Sequence, residues 1–177
     1  METVVISPTA TELVKVCVVR SAGPPRWSIG DRGRSDRLRS AIANTGFSLP
    51  TGDISVSIGG PTAEENDLAV ALAILLCDPA HAHLRRRWWI AWGALRLDGG
   101  LEGANELLLN DLPAGPCAGR IWVPDDHVPS SDEDAVISLV DVEDLRQAWE
   151  VLVFFAGAEE VITEDAIDRV ATHNGAP

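Results

Sequence analysis

From Leu68 to Cys77 the chain reads LAVALAILLC, ten consecutive apolar residues preceded by Glu64-Glu65-Asn66-Asp67 and followed by Asp78-Pro79. A helix of that composition has no polar stripe to turn toward water, so it must be covered on nearly every side. Asn66 or Asp67 is placed to cap its start, and the Asp-Pro pair is placed to end it. The segment therefore predicts a central helix, with every other element arranged around it.

The flanking sequence supplies the cover. Thr3–Ile6 and Thr11–Arg20 are rich in valine with partial alternation and are separated at Pro8, which predicts two early strands. Pro24 and Pro25 interrupt them, and Arg26–Ile29 predicts a third, short strand. Ser35–Asn44 places Leu38, Ala41 and Ile42 at helical spacing, with Gly46 as the stop. Asp53–Ile58 alternates as a half-buried strand does, and GGPTAEEN ends it. Beyond the central helix, Trp88–Trp92 and Ala94–Leu97 read as strands paired about Gly93, Leu101–Asn110 as a helix, and Arg120–Val123 and Val136–Val140 as strands. Asp141 is expected to cap an amphipathic helix to about Phe155 with Leu145, Ala148, Trp149 and Leu152 on one face. Thr163 with Ala166 predicts a last helix, and His173–Pro177 should fray. The division expected is one domain over residues 1–157, then a C-terminal helix and tail over 158–177.

A chain of 177 residues that is 46% apolar can bury a core without metal or disulfide help, and no apolar run approaches the roughly 20 residues of a membrane-spanning helix. The N-terminus lacks a basic leader ahead of an apolar block, so a soluble, cytoplasmic protein with no membrane contact is expected. Cys17, Cys77 and Cys117 are odd in number, widely spaced and set among small or apolar neighbours, as reduced buried thiols are. The net charge of −13 is uneven: residues 120–177 hold 14 acids against 3 arginines, which repels nucleic acid and anionic membrane from that third.

RLRSAIANTGFSLPTGDISVSIGG, followed by DLAVALAIL and WGALRLDGGLEG, resembles the N-terminal module of magnesium-chelatase-like AAA+ ATPases of the competence-helicase type. In that module an arginine-bearing helix, an Asn-x-Gly-Phe turn, a proline and a strand occur in the same order. The central helix and GxLxLDG hairpin are similar, more distantly, to the C-terminal module of the RadA repair ATPase and to the Lon proteolytic domain. The resemblance spans roughly Thr3 to Phe155. It implies an α+β fold, a mixed β-sheet with packed helices of the kind shared by Lon proteolytic domains and the second domain of a ribosomal small-subunit protein. It also implies what is missing. No G-x-x-x-x-G-K-S/T segment exists, and Lys15, in an early strand, is the only lysine. The serine nucleophile of Lon falls by position near Glu64 and its lysine base near Ala104, so the family's Ser-Lys dyad cannot form.

The remaining constellations point to contact rather than catalysis. Glu64, Glu65 and Asp67 sit where acids favour a helix's positive end. Asp78, His81 and His83 read as a turn with two surface histidines, and no metal or cofactor is expected. Asp125-Asp126-His127 reads as a solvated turn, and Thr62 has no readable base. Arg32, Arg34, Arg37 and Arg39, with Arg26 upstream, and the separate run Arg85-Arg86-Arg87 concentrate positive charge. The expectation is a non-catalytic interaction or regulatory subunit, as monomer or dimer, whose partner is a protein such as a separately encoded AAA+ ATPase. Its contact residues are expected among Arg34, Arg37, Arg39, Glu64, Glu65, Asn66, Trp88 and Trp89. The alternative is a DNA-binding accessory protein of recombination or repair, using Arg34, Arg37, Arg39, Arg85, Arg86 and Arg87 on phosphates.

Overall fold

Alternating valines in the first twenty positions build the centre of a mixed sheet. β1 (Glu2–Pro8) and β2 (Leu13–Ser21) run antiparallel with Val5 opposite Val16, and Val14, Val16 and Val18 face inward while Leu13, Lys15 and Val19 are exposed. The structure is a computed structural model that describes residues 1–8, 13–30, 32–60, 63–86, 89–102, 119–123 and 138–156. β3 (Arg26–Ser28), α1 (Arg32–Asn44) and β4 (Asp53–Ile58) follow, then a 3-10 turn at Glu64–Asn66, α2 (Asp67–Leu76) and a kinked 3-10 segment at Pro79–Arg86. β5 (Ile90–Trp92), β6 (Ala94–Leu95), β7 (Leu101–Glu102), β8 (Gly119–Val123), β9 (Ser138–Val142) and a helix at residues 145–156, α3, complete the described order.

Seven strands form one sheet in the order β3-β4-β2-β1-β5-β8-β9. Pairing is parallel at β3/β4 and β1/β5 and antiparallel elsewhere. The chain is thus an α+β protein with a mixed sheet. α2 packs on β1, β2 and β5, and α1 and β6 also pack against it, so all ten of its residues are buried. No helix among the described residues is long and apolar enough to cross a membrane.

Because α2 has no polar face, polar groups at its two ends fix where it lies. The Asn66 side-chain amide donates to Ser7 Oγ at 2.9 Å, and at the other end Cys77 Sγ donates to Thr3 Oγ1 at 3.3 Å. Thr3 and Ser7 are four residues apart on the inner face of β1, about 13 Å of strand, which is close to the rise of the helix they bracket. α2 is held antiparallel to β1 by this pair of contacts.

Three expectations are corrected. Trp88–Trp92 and Ala94–Leu97 do not pair with each other: β5 joins the large sheet between β1 and β8, whereas β6 leaves it after Gly93 to pair with β7. Leu101–Glu102 is therefore strand rather than the start of a helix, and the rest of that expected helix lies outside the described residues. Asp141 lies in β9, and the cap of α3 is Asp144, whose Oδ1 accepts the Gln147 N–H at 2.7 Å while Gln147 Oε1 accepts the Glu143 N–H at 2.7 Å. Leu145, Ala148 and Leu152 are buried and Trp149 is half-buried, as the helical spacing required. Residues 157–177, with their expected helix and tail, lie outside the described residues.

Leu72, fully buried in α2, and Leu97, 60% exposed in the β6–β7 turn, separate packing from mere hydrophobicity. Leu72→Ala should cost about 2–5 kcal/mol in urea unfolding followed by circular dichroism, whereas Leu97→Ala should stay within about 0.5 kcal/mol. Equal effects would show that α2 is not the centre of the core.

Candidate functional site

The head of α2 gathers the charged residues that the sequence brings nearest to a site. α1 presents Arg34, Leu38 and Ala41 inward at helical spacing, with Arg37 beside them, so these two arginines point toward α2. Arg34 Nε donates to Asp67 Oδ1 at 2.7 Å, and its Nη2 donates to the Ala63 carbonyl at 3.1 Å. Arg37 bridges two acids, donating to Asp67 Oδ2 at 3.0 Å from Nε and to Glu64 Oε1 at 2.7 Å from Nη1. Asp67 is fully buried and Arg34 nearly so, while Glu64 remains 71% exposed.

Opposing forces act on this cluster. Burial pushes the Asp67 carboxyl above its ordinary value, and the two guanidiniums pull it only part of the way back. Burial also works against the Arg37 cation, but Asp67 and Glu64 beside it more than compensate and hold its pKa above the usual arginine value. Such a network contributes little net stability and much specificity, because only one placement of α1 satisfies it.

The backbone around it is equally committed. Asn66 occupies the cap position without a side-chain cap bond; its Oδ1 instead accepts the Ala63 N–H at 2.9 Å. The first-turn Leu68 N–H finds its acceptor in the Gly93 carbonyl at 3.0 Å, and the Gly93 N–H donates to the Glu65 carbonyl at 2.8 Å. The expected cap at Asn66 or Asp67 is thus replaced by a carbonyl from the β5–β6 junction, because both side chains are drawn into contacts with distant elements.

The expected contact residues divide sharply. Arg34, Asn66 and Trp89 are interior; Trp89 is fully buried, with its indole N–H on the Leu84 carbonyl at 2.8 Å. Arg37 is tied to Glu64 and Asp67, and Glu65, next to Glu64 in sequence, is half-buried. Arg39 faces away, with its guanidinium 5.3 Å from the centre of the Trp27 ring. Arg85 is half-buried with no hydrogen-bond partner for Nε among the described residues. The Arg86 side chain, Arg87, Trp88, Thr62, Ala104, Cys117 and Asp125-Asp126-His127 lie outside the described residues. Thus two of the arginines expected on phosphate, Arg34 and Arg37, are neutralised internally.

The histidine turn is built locally: Asp78 Oδ1 accepts the Ala80 N–H at 2.9 Å, His81 Nδ1 pairs with the Leu75 carbonyl at 3.0 Å and stacks edge-on against Trp149, and His83 is exposed. Among the described residues no three His, Cys, Asp or Glu side chains converge as metal ligands. Trp27, which sequence reasoning passed over, was signalled only by its place between Pro25 and a helix that carries Arg39. No protein-family model matches the chain, and no curated protein matches it.

Asp67→Ala strands two inward guanidiniums and should cost about 3–5 kcal/mol, while Glu64→Ala should cost no more than about 1 kcal/mol. Adding Arg34→Ala to Asp67→Ala should fall short of the summed single costs by at least about 1 kcal/mol in denaturant titrations. Strict additivity would mean that the pair does not act as a unit.

The thiols yield a separate expectation. Burial raises Cys77, and burial together with the Glu2 carboxylate, 3.0 Å from its sulfur, raises Cys17. Both should alkylate more slowly with iodoacetamide near neutral pH than free cysteine does, Cys77 the slower, as read by peptide mass mapping. Labelling of native Cys77 at the free-thiol rate would contradict its burial.

Proposed function

We propose that this chain is a non-catalytic, stand-alone Lon-like module that acts as an interaction or regulatory subunit, its partner a separately encoded AAA+ ATPase. One observation carries the reading: where the resembled proteolytic domain holds its nucleophile, at the head of the central helix, this chain holds Glu64, Asn66 and Asp67 bonded to Arg37, Ser7 and Arg34. The donors and acceptors of that corner satisfy one another. Chemistry of the serine-lysine kind needs an unengaged hydroxyl beside an amine of lowered pKa. Ser7, whose hydroxyl meets Asn66 at α2's start, is fully buried and accepts from an amide, and Lys15 lies on the outward face of β2.

The described element order supports the Lon-like reading in part: three strands, an arginine helix, a strand, the central helix, a strand, a hairpin, two strands and a packed helix follow one another, while the helix that the resemblance places after the hairpin lies outside the described residues. The rigid, closed corner suits a module that presents a surface rather than one that turns over a substrate. The internal neutralisation of Arg34 and Arg37 weighs against the DNA-binding alternative, which counted on both.

The purified chain should show no hydrolysis of casein, fluorogenic peptides or phosphate esters above buffer. An AAA+ ATPase recovered with it from the source cells, when purified and recombined, should shift its elution and change its ATPase rate. Turnover by the chain alone would overturn the non-catalytic half of the reading, and an ATPase indifferent to the chain would overturn the regulatory half.

A further inference from the structure

Five of the described arginines are engaged by groups of the chain itself: Arg34 and Arg37 on Asp67, Arg20 on Thr51, Arg96 on Asp98 and Arg146 on the Thr45 carbonyl. Arg26 and Arg39 have no carboxylate within ion-pair distance among the described residues, and Arg32 has only the solvated Asp36 at 4.0 Å. Arg26 lies in β3, an edge strand of the described sheet, and Arg39 lies over its Trp27. Arg32 and Arg39 are seven residues apart on α1, two turns along one face.

The geometry of β3 adds direction. The Arg26 N–H donates to the Gly52 carbonyl at 3.3 Å, so Arg26 turns its main chain toward β4. Alternation then turns the N–H and C=O of Trp27 to the open side of the sheet. The Trp27 side chain packs inward against the core on the α1 face, which leaves exposed Arg26 and Ser28 on the opposite face. Positive charge therefore flanks, from both faces of the edge, a pair of main-chain groups with no strand partner among the described residues. Pro25, which has no N–H, limits the main-chain contact to the Trp27 pair and its immediate neighbours.

We propose that this edge docks an extended acidic segment of a partner protein, which adds one short strand beside β3. An extended chain points successive side chains to opposite faces, so two consecutive acids would meet Arg26 on one face and Arg39 on the other while Trp27 bonds the peptide backbone between them. Nucleic acid offers charge but no strand to complete the Trp27 pair, and the chain's net charge of −13 opposes it. Among the described residues, acids near the edge include Asp36, beside Arg32, and half-buried Asp53, which sits beside Arg26 in register. They set a spacing that a partner's carboxylates must avoid. The inference rests on the interaction-module reading and names the surface through which that reading operates.

The test is fluorescence anisotropy of the full chain with a labelled eight-residue peptide that carries paired Glu-Asp steps. Its Gln-Asn isostere, the same peptide N-methylated at alternate amides, and an oligothymidylate serve as comparison probes. The acidic peptide should bind at least about tenfold more tightly than its isostere and lose affinity between about 50 and 300 mM salt. N-methylation should abolish binding, and exposed Arg26→Gln with half-buried Arg39→Gln should weaken it at least about tenfold while the circular dichroism stays unchanged. Equal binding of the isostere, indifference to the arginine substitutions, or tighter binding of the oligothymidylate would overturn the proposal. If the arginine variant still shifts the recombined ATPase, the docking edge is refuted and the interaction-module reading stands. If neither peptide nor ATPase engages the unaltered chain, both fall.

Discussion

A helix without a polar face is the constraint on which the rest of this structure depends. Burial of α2 supplies a large but non-directional stabilisation, since an all-apolar cylinder can roll or slide in its cavity at little cost in buried area. Direction comes from polar residues just at or beyond its ends. Asn66 on Ser7 and Cys77 on Thr3 fix its position along β1, and Asp67 on Arg34 and Arg37 fixes α1 above it. Each contact is modest in net energy, yet each leaves a buried polar group unpaired if the helix moves, and that penalty is the larger quantity.

The same logic explains how the head of α2 is arranged. An Asp at the first turn of a buried helix requires a cation, and α1 supplies two from consecutive turns of its inner face. Once made, the cluster directs the hydrogen-bonding groups of Asp67, Arg34 and Arg37 to one another and to the Ala63 carbonyl and Glu64. Gly93 completes the enclosure with bonds to Glu65 and Leu68, so the β5–β6 junction serves as the lid of the helix start as well as the exit from the main sheet. At the other end of α1, Gly46 takes a φ of +83° to end the helix, and Gly99 of the hairpin turn lies where a Cβ would come within 3.1 Å of the Ala41 carbonyl. The hairpin thus closes on α1 at the spot where a side chain would hold it off.

Much of this was legible in the sequence wherever a periodic pattern and a burial requirement coincide. β1, β2, β4, α1 and α2 follow from alternation or helical spacing, and their bounds differ from expectation by a few residues. Local pattern reveals a strand but not its partner: the run through Gly93 looks like a hairpin, yet β5 is drawn to β1 by the long-range register of Ile6 with Ile90. The cap of α3 was missed by three residues because Asp141 and Asp144 are chemically equal candidates, and only the position of Gln147 three residues after Asp144 distinguishes them. The arginine segment and the acids near Asp67 were both visible, as separate surface features. That they neutralise each other depends on a contact thirty or more residues long in sequence, which no local pattern encodes.

Helical phase accounts for how α1 performs two tasks at once. Positions 34, 37, 38 and 41 repeat on the face toward α2, and positions 32, 36 and 39 repeat on the face toward solvent and β3. The inner arginines are cancelled by buried acids, so they contribute little to the field outside. The outer ones, in a protein of net charge −13, form a local inversion of sign beside an edge strand. In the proposed docking, long-range electrostatics would use such an inversion for orientation, favouring approach of a negatively charged segment to the arginine-flanked edge. With the inner pair cancelled, the outer arginines carry the charge that α1 turns to solvent, so one face of a single helix fixes its placement on α2 and the other carries its unneutralised cations.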